Sequence, residues 1–286
     1  MMLAAVLVTA ALSGWSILSS HRLLHPAFSS LPARRPATAR SQSLVLPSGE
    51  SLEVWIFQAE VPCGVVVGCH GYRGSRLQLT AVADALQRRG FTTILYDRLG
   101  HGARAGYCRL GRHATDEVGE VLRWLSHDPG LAELSQVLLG WPMGAAVACQ
   151  AARDFAQVHA VVADSVYARL FPVIASTIRR QYHLPATPWA WLTWAAVQAR
   201  LRERLARWDP IRLAAVCRQP LLLIHGGQDI AVPMSDSHEL ARRWQGPTEQ
   251  WIDPAVGHVG LAVANLETYV DRIVSFLTRW LDASPS

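Results

Sequence analysis

The segment 137–148 constrains the fold more than any other part of the chain, because it joins a strand pattern directly to a helix pattern. It begins with an apolar run, VLL at 137–139, continues through GWPMG at 140–144 and ends in small residues, AAVA at 145–148. We interpret it as a strand, a tight turn and a helix, with glycines where the two elements cross closely. Proline at position 142 fixes φ at about −65°, which excludes a left-handed backbone there.

Strand and helix patterns alternate along the chain from residue 44 onward. Runs with the length and apolar character of strands lie at 52–57, 64–69, 91–96, 137–140, 158–163, 220–224 and 249–252. Helices are predicted at 77–89, 115–127 and 261–281. The alternation favours an α/β fold, in which a mostly parallel central sheet has helices on both faces and 52–57 is an early antiparallel strand.

The alternation is interrupted at about residues 166–209, where aromatic and basic side chains accumulate. We interpret this segment as a helical insertion, and two roles for it stay open. It is either a lid over an apolar site or a packed helix pair whose arginine-rich face meets solvent. Its tryptophans would also suit contact with a membrane surface.

The N-terminal residues 1–20 carry no charged side chain and are mostly apolar. We interpret them as a transmembrane anchor, with a signal segment as the alternative. Residues 21–43 are predicted to be a linker and 44–286 the folded domain. The arginines that follow the apolar segment would keep the body on the cytoplasmic side, whereas a cleaved signal would make it secreted or periplasmic.

Composition excludes several classes of function. The 286 residues are enough for one large α/β core. The net charge of +5 comes from scattered arginines without a long basic run, so no nucleic-acid partner is predicted. The five cysteines show no C-x-x-C spacing, which indicates free thiols rather than a zinc site or disulfides. Neither a metal nor an organic cofactor is predicted.

Four sets of short motifs follow the ends of predicted strands. They are HGYRGS at 70–75, YDRLGHG at 96–102, GWPMGA at 140–145, and HGGQDIAVP at 225–233 with a later GH at 257–258. With these motifs in this order, the chain from about Leu44 to Leu281 resembles the α/β-hydrolase superfamily. The similarity is to the branch with serine aminopeptidases and monoglyceride lipases. The resemblance implies an α/β-hydrolase fold with a helical lid.

The resemblance also implies a catalytic pair of Asp229 and His258. His258 would act as the general base, because an imidazole can take up and return a proton near neutral pH. Asp229 would fix the tautomer of His258 and stabilise its cation. The chain order of turn, acid and histidine agrees with the superfamily, although the GGQD sequence also permits an ordinary turn aspartate.

In the superfamily the turn after the central strand has the sequence G-x-S-x-G and presents the nucleophilic serine at positive φ. Pro142 occupies that position, has no hydroxyl and cannot adopt positive φ. We therefore predict that no acyl-enzyme forms at Pro142 and that the turn is remodelled. The alternative is that Pro142 simply begins a helix. The resemblance places the oxyanion hole at the backbone N–H groups of Tyr72 and Met143.

Two serines are alternatives for the missing nucleophile. Ser165 follows the strand at 158–163 and is expected at the same crevice, and Ser75 lies in the loop of the oxyanion hole. Neither has a sequence reason to meet His258. We keep Ser165 as the possible alternative nucleophile.

The predicted function is that of a protein of serine ester or amide hydrolase ancestry, impaired at Pro142. Its substrate would be a small ester or amide with an apolar acyl group. Two alternatives stay open: an active hydrolase in which Pro142 is a recent variant, and a non-catalytic, membrane-associated binding protein. Whether the chain is an enzyme is therefore left open by the sequence.

Overall fold

The computed structural model describes residues 2–26, 34–46 and 49–281, and their side chains from residue 9 onward. Residues 27–33 of the predicted linker lie outside the described residues. The sheet contains β1 (Arg40–Val45), β2 (Ser51–Phe57), β3 (Gly64–Cys69), β4 (Phe91–Tyr96), β5 (Gln136–Gly140), β6 (Val158–Asp164), β7 (Leu221–Gly226) and β8 (Thr248–Asp253).

Ten α-helices accompany the sheet within the described ranges. They are α1 (Met2–Leu24), α2 (Thr80–Arg88), α3 (Arg112–Leu125), α4 (Pro142–Asp154), α5 (Leu170–Tyr182), α6 (Ala186–Leu201), α7 (Pro210–Leu213), α8 (Met234–Arg243), α9 (Gly260–Ala264) and α10 (Leu266–Leu281). Short 3₁₀ helices precede α2 and α7, at Arg76–Leu79 and Leu205–Trp208.

The strand order is β1-β2-β4-β3-β5-β6-β7-β8. β1 and β2 pair antiparallel at one end, β2 pairs antiparallel with β4, and all pairs from β4 to β8 are parallel. Every residue of β3, β4, β5 and β7 is buried, because helices cover both faces of the sheet. The predicted mostly parallel sheet with helices on both faces is therefore confirmed, and so is the antiparallel strand near 52–57.

The predicted final helix is divided into two. The chain leaves helical geometry at Asn265, where φ is −156° and ψ is 96°. The side-chain oxygen of Asn265 accepts a hydrogen bond of 3.0 Å from the Thr268 N–H, which begins α10. The apolar period continues across this break, so the sequence pattern alone does not reveal it.

The predicted transmembrane anchor at residues 1–20 is wrong. Among the described parts of the chain, no helix has both the length and the apolar character that crossing a membrane requires. Instead α1 packs against α6: the Trp15 indole N–H donates to the Trp189 carbonyl at 3.0 Å and to Thr193 Oγ1 at 3.1 Å, and Ser19 Oγ lies 2.8 Å from Thr193 Oγ1. The cytoplasmic orientation inferred from the anchor loses its basis.

Helices α5 and α6 form most of the insertion between β6 and β7, and their aromatic side chains pack within the protein. Phe171 lies against Trp191 and Trp194, with ring centroids 4.3 and 5.7 Å apart. Trp15 contacts Trp189 in an edge-on arrangement at 5.3 Å. The structure therefore gives these tryptophans protein partners and does not support the predicted membrane contact.

Candidate active site

The predicted site residues gather at one edge of the sheet. β3, β5, β6 and β7 are parallel, so their carboxyl ends lie along that edge. The loops that leave it carry Tyr72 after β3, Pro142 after β5, Ser165 after β6 and Asp229 after β7. His258 reaches the same place from the loop between β8 and α9.

His258 and Asp229 are in direct contact. His258 Nδ1 lies 2.6 Å from Asp229 Oδ2, and the Asp229 side chain is fully buried whereas that of His258 is 36% exposed. The other carboxylate oxygen of Asp229 accepts hydrogen bonds from the Ala231 and Val232 N–H groups at 2.8 and 2.9 Å. These bonds fix the carboxylate, so Asp229 can orient the imidazole while Nε2 is left for chemistry.

A second histidine, His225, also faces Asp229, with its Nε2 3.4 Å from Oδ2. Burial alone would raise the pKa of Asp229, but hydrogen bonds from His225, His258 and the Val232 N–H outweigh it and hold that pKa well below its usual range. Asp229 is thus ionised at neutral pH. The role of His225 was missed from the sequence, although it begins the same HGGQD motif that led to Asp229.

Pro142 is the first residue of α4. The preceding Trp141 is extended, at φ −100° and ψ 156°, and its carbonyl accepts the first helical hydrogen bond, from the Ala145 N–H at 2.9 Å. The residues with positive φ in this structure do not include Pro142. The strained turn that would present a nucleophile is therefore replaced by an ordinary helix start, for which proline is well suited.

The two expected oxyanion donors flank the same cavity. Met143 is the second residue of α4, ahead of the first intrahelical bond, and its N–H has no partner among the described residues. Tyr72 follows β3 in the HGYRGS loop, and its hydroxyl donates to the carbonyl of Leu23 in α1 at 2.9 Å. The backbone amides of Tyr72 and Met143 remain a predicted oxyanion hole.

Ser165 has a different set of contacts from those of a nucleophile. It is fully buried, its hydroxyl donates to Asp164 Oδ1 at 2.9 Å, and it accepts a hydrogen bond from the Val259 N–H at 3.1 Å. Because Val259 follows His258, Ser165 positions the histidine loop. Ser75 caps the 3₁₀ helix before α2 by accepting from the Leu77 N–H. The structure brings neither hydroxyl into contact with His258.

Asp164 belongs to a buried polar chain that the sequence did not reveal. The Tyr269 hydroxyl, from α10, donates to Asp164 Oδ2 at 3.0 Å and accepts from the Trp141 indole N–H at 3.2 Å. Burial raises the pKa of Asp164 to about 6, although the hydrogen bonds from Ser165 and Tyr269 favour its ionised form. These hydrogen bonds link Trp141, the residue before Pro142, to the last helix.

His70 supports the loop of the predicted oxyanion hole. Its Nε2 accepts a hydrogen bond from the Arg98 N–H at 3.1 Å, so Nδ1 carries the proton and donates to the Gly71 carbonyl at 2.9 Å. Burial, with the nearby Arg98 guanidinium, lowers the pKa of His70 to about 3. The ring is therefore neutral, and its hydrogen bonds connect the loops that follow β3 and β4.

His258 and Pro142 line one cavity of about 680 Å³. Its walls come from the loop after β3, the start of α4, the insertion helix α5 and the end of α1. A cavity of this size is typical for a drug-sized ligand. Within the described residues, no group of three or more His, Cys, Asp or Glu side chains is placed to hold a metal ion.

Parts of the chain are similar to known proteins. Residues 60–170 match the serine aminopeptidase family S33. The uncharacterized protein YqkD of Bacillus subtilis is 22% identical over 253 residues, which cover 85% of this chain and 81% of that protein. The uncharacterized protein Rv2307c of Mycobacterium tuberculosis is 28% identical over 254 residues, covering 88% and 82%.

Solved structures show the same fold. The esterase Pf2001 of Pyrococcus furiosus superposes with a TM-score of 0.73 at 20% identity, covering 91% of this chain and 98% of that one. The α/β hydrolase GrgF of Penicillium gives 0.68 at 19% identity, covering 85% and 99%. By its sheet and these superpositions, the chain has the α/β-hydrolase fold, and its residues 60–170 are similar to the serine aminopeptidase family.

Proposed function

We propose that this protein binds an ester or amide with an apolar acyl group at a serine-hydrolase site that has lost its nucleophile. The contact between His258 and Asp229 beside the cavity carries the proposal, since such a pair serves proton transfer in acyl hydrolysis. The family match at residues 60–170 supports the same chemistry. The similar Pyrococcus protein Pf2001 is an esterase, which also favours an ester as the ligand.

Pro142 determines which steps remain. In a serine hydrolase the serine oxygen attacks the acyl carbon, the ester C–O bond breaks, and the histidine moves the proton from the serine to the leaving alcohol. Pro142 offers no oxygen for that bond. The remaining route is attack by water: His258 takes the water proton as the new C–O bond forms, then returns it to the departing alkoxide. Without the covalent step this hydrolysis is slow.

The test is ester hydrolysis by the full chain and its Pro142→Ser variant, with p-nitrophenyl butyrate as the substrate. We expect Pro142→Ser to raise kcat/KM by about 100-fold or more, because loss of a nucleophile alone costs orders of magnitude in serine hydrolases. Serine can also take up the positive φ that proline forbids, at a cost of about 1–2 kcal/mol.

Two further variants isolate the cause. Pro142→Ala frees the backbone without supplying an oxygen, so it should stay at the wild-type rate. His258→Ala in the Pro142→Ser background should remove the gain. A folded Pro142→Ser variant that hydrolyses the ester no faster than the wild type would contradict the proposal.

A further inference from the structure

The mouth of the cavity is cationic. Arg22, at the end of α1, and Arg180, at the end of α5, both line it. Among the described residues that line the cavity there is neither an aspartate nor a glutamate. Its polar rim therefore carries positive charge without acidic side chains to balance it.

Arg22 and Arg180 differ from many other arginines of the molecule in their partners. Within the described residues neither forms an ion pair with a carboxylate, and both are exposed. By contrast, Arg169 pairs with Glu239 at 2.6 Å. The guanidinium groups of Arg22 and Arg180 thus keep their donors available to an incoming ligand, and a guanidinium matches a carboxylate or phosphate in both charge and shape.

The interior of the cavity has the opposite character. Apolar side chains from the loop before α3, from α4 and from α5 line it, namely Leu110, Met143, Leu170, Val173, Ile174 and Ile178. An apolar chain inside this space would leave water at a gain of about 25 cal/mol per Å² of buried surface. The cavity is therefore amphipathic, with an apolar body and a cationic rim.

We infer that the cavity takes an amphipathic anion, a ligand with an apolar chain and a carboxylate or phosphate group held by Arg22 and Arg180. The inference rests on the proposed function in placing the acyl chain beside His258, and it adds the chemical class of the ligand. Binding of such a ligand needs no turnover, so it can be measured in the wild-type chain.

Helix geometry offers a different reason for the same arginines. Cations are favoured in the last turn of a helix, where the macrodipole is negative. Arg179 and Arg180 both lie in the last turn of α5 and are both exposed, but only Arg180 lines the cavity. Arg179→Gln is therefore a matched control, since a purely helical role gives the two arginines the same importance.

The experiment is calorimetric titration of the full chain with decanoate, decyl phosphate and the neutral 1-decanol, the two anions below their micelle concentrations and decanol below its solubility limit. We expect the better anion to bind about 10-fold more tightly than decanol, which corresponds to about 1.4 kcal/mol. Arg22→Gln and Arg180→Gln should each reduce that preference to about 3-fold or less. Arg179→Gln should keep it, and thermal melting checks that every variant is folded.

Tighter binding of decyl phosphate identifies a phosphate-bearing ligand, and tighter binding of decanoate a carboxylate. Decanol binding as tightly as both anions would overturn the inference, as would no binding at all or equal losses in Arg179→Gln and Arg180→Gln. These results are separable from the ester test. An inactive Pro142→Ser variant would contradict the proposed chemistry but leave an anion preference intact, whereas an active one without that preference would reject only the ligand class.

Discussion

Gly144 determines how closely α4 can approach the central sheet. A side chain there would overlap the backbone carbonyls of Cys69 and His70. We therefore expect Gly144→Ala to lower the free energy of unfolding by about 1–3 kcal/mol, the usual cost of overpacking, in a urea titration.

Gly14, in the middle of α1, is the control position for the same substitution. No atom lies within 4 Å of a Cβ added there. Gly14→Ala should be neutral or stabilising by up to about 1 kcal/mol, since alanine favours helix more than glycine does. Two variants of equal stability would show that the crossing at Gly144 is not tight.

Single residues also mark how far the sequence could predict the site. Asp229 and His258 could be found because each follows a strand in a recognisable motif, and the structure places them 2.6 Å apart. His225 and Tyr269 were missed, because their roles depend on contacts between distant elements. Tyr269 reads as one more apolar position of an amphipathic helix, yet its hydroxyl meets Asp164.

The helix α1 is the element for which the sequence pattern was most misleading. A run of apolar residues has the same composition whether lipid or protein covers it. Its partners are on α6, 174 residues or more away along the chain, so the local sequence does not predict them. The strands of the sheet were easier to predict, because burial on both faces requires a continuous apolar run.

Thr193 makes two of the polar contacts between α1 and α6. Its hydroxyl lies 2.8 Å from Ser19 Oγ and accepts from the Trp15 indole N–H at 3.1 Å. Thr193→Val keeps the shape but leaves Ser19 with one partner fewer, at a cost of about 1–3 kcal/mol. We expect hydrogen exchange of the α1 amides to become at least about 5-fold faster, with α10 unchanged.

The control for this helix contact is Thr268→Val, at an exposed position in α10. It should alter exchange in neither helix beyond its own turn. Unchanged exchange of α1 in Thr193→Val would show that apolar packing alone holds α1 on the insertion.

At the scale of the whole molecule, Asp164 connects three elements beneath the site. It lies at the end of β6, accepts a hydrogen bond from Tyr269 of α10, and is linked through Tyr269 to Trp141 at the start of α4. Asp164 has a folded-state pKa of about 6, above its usual 3.8. A carboxyl group of this kind contributes fully to stability when it is protonated, below about pH 4. That contribution is lost as the pH rises through 6, because the folded protein must then hold a buried charge.

Asp164→Asn removes this charge while keeping an oxygen that can accept a hydrogen bond. Each tenfold change in proton affinity is worth about 1.4 kcal/mol, so ionising Asp164 costs the folded protein about 3 kcal/mol. We expect the free energy of unfolding of the wild type, relative to Asp164→Asn, to fall by about that amount between pH 4 and pH 8. Urea titrations across this range measure it, with Asp116→Asn, at an exposed position of α3, as a control that should leave the profile unchanged. If the free energies of unfolding of wild type and Asp164→Asn differ by a constant amount across this range, Asp164 is ionised throughout. Its hydrogen-bond partners would then stabilise the buried charge with no loss of folding free energy.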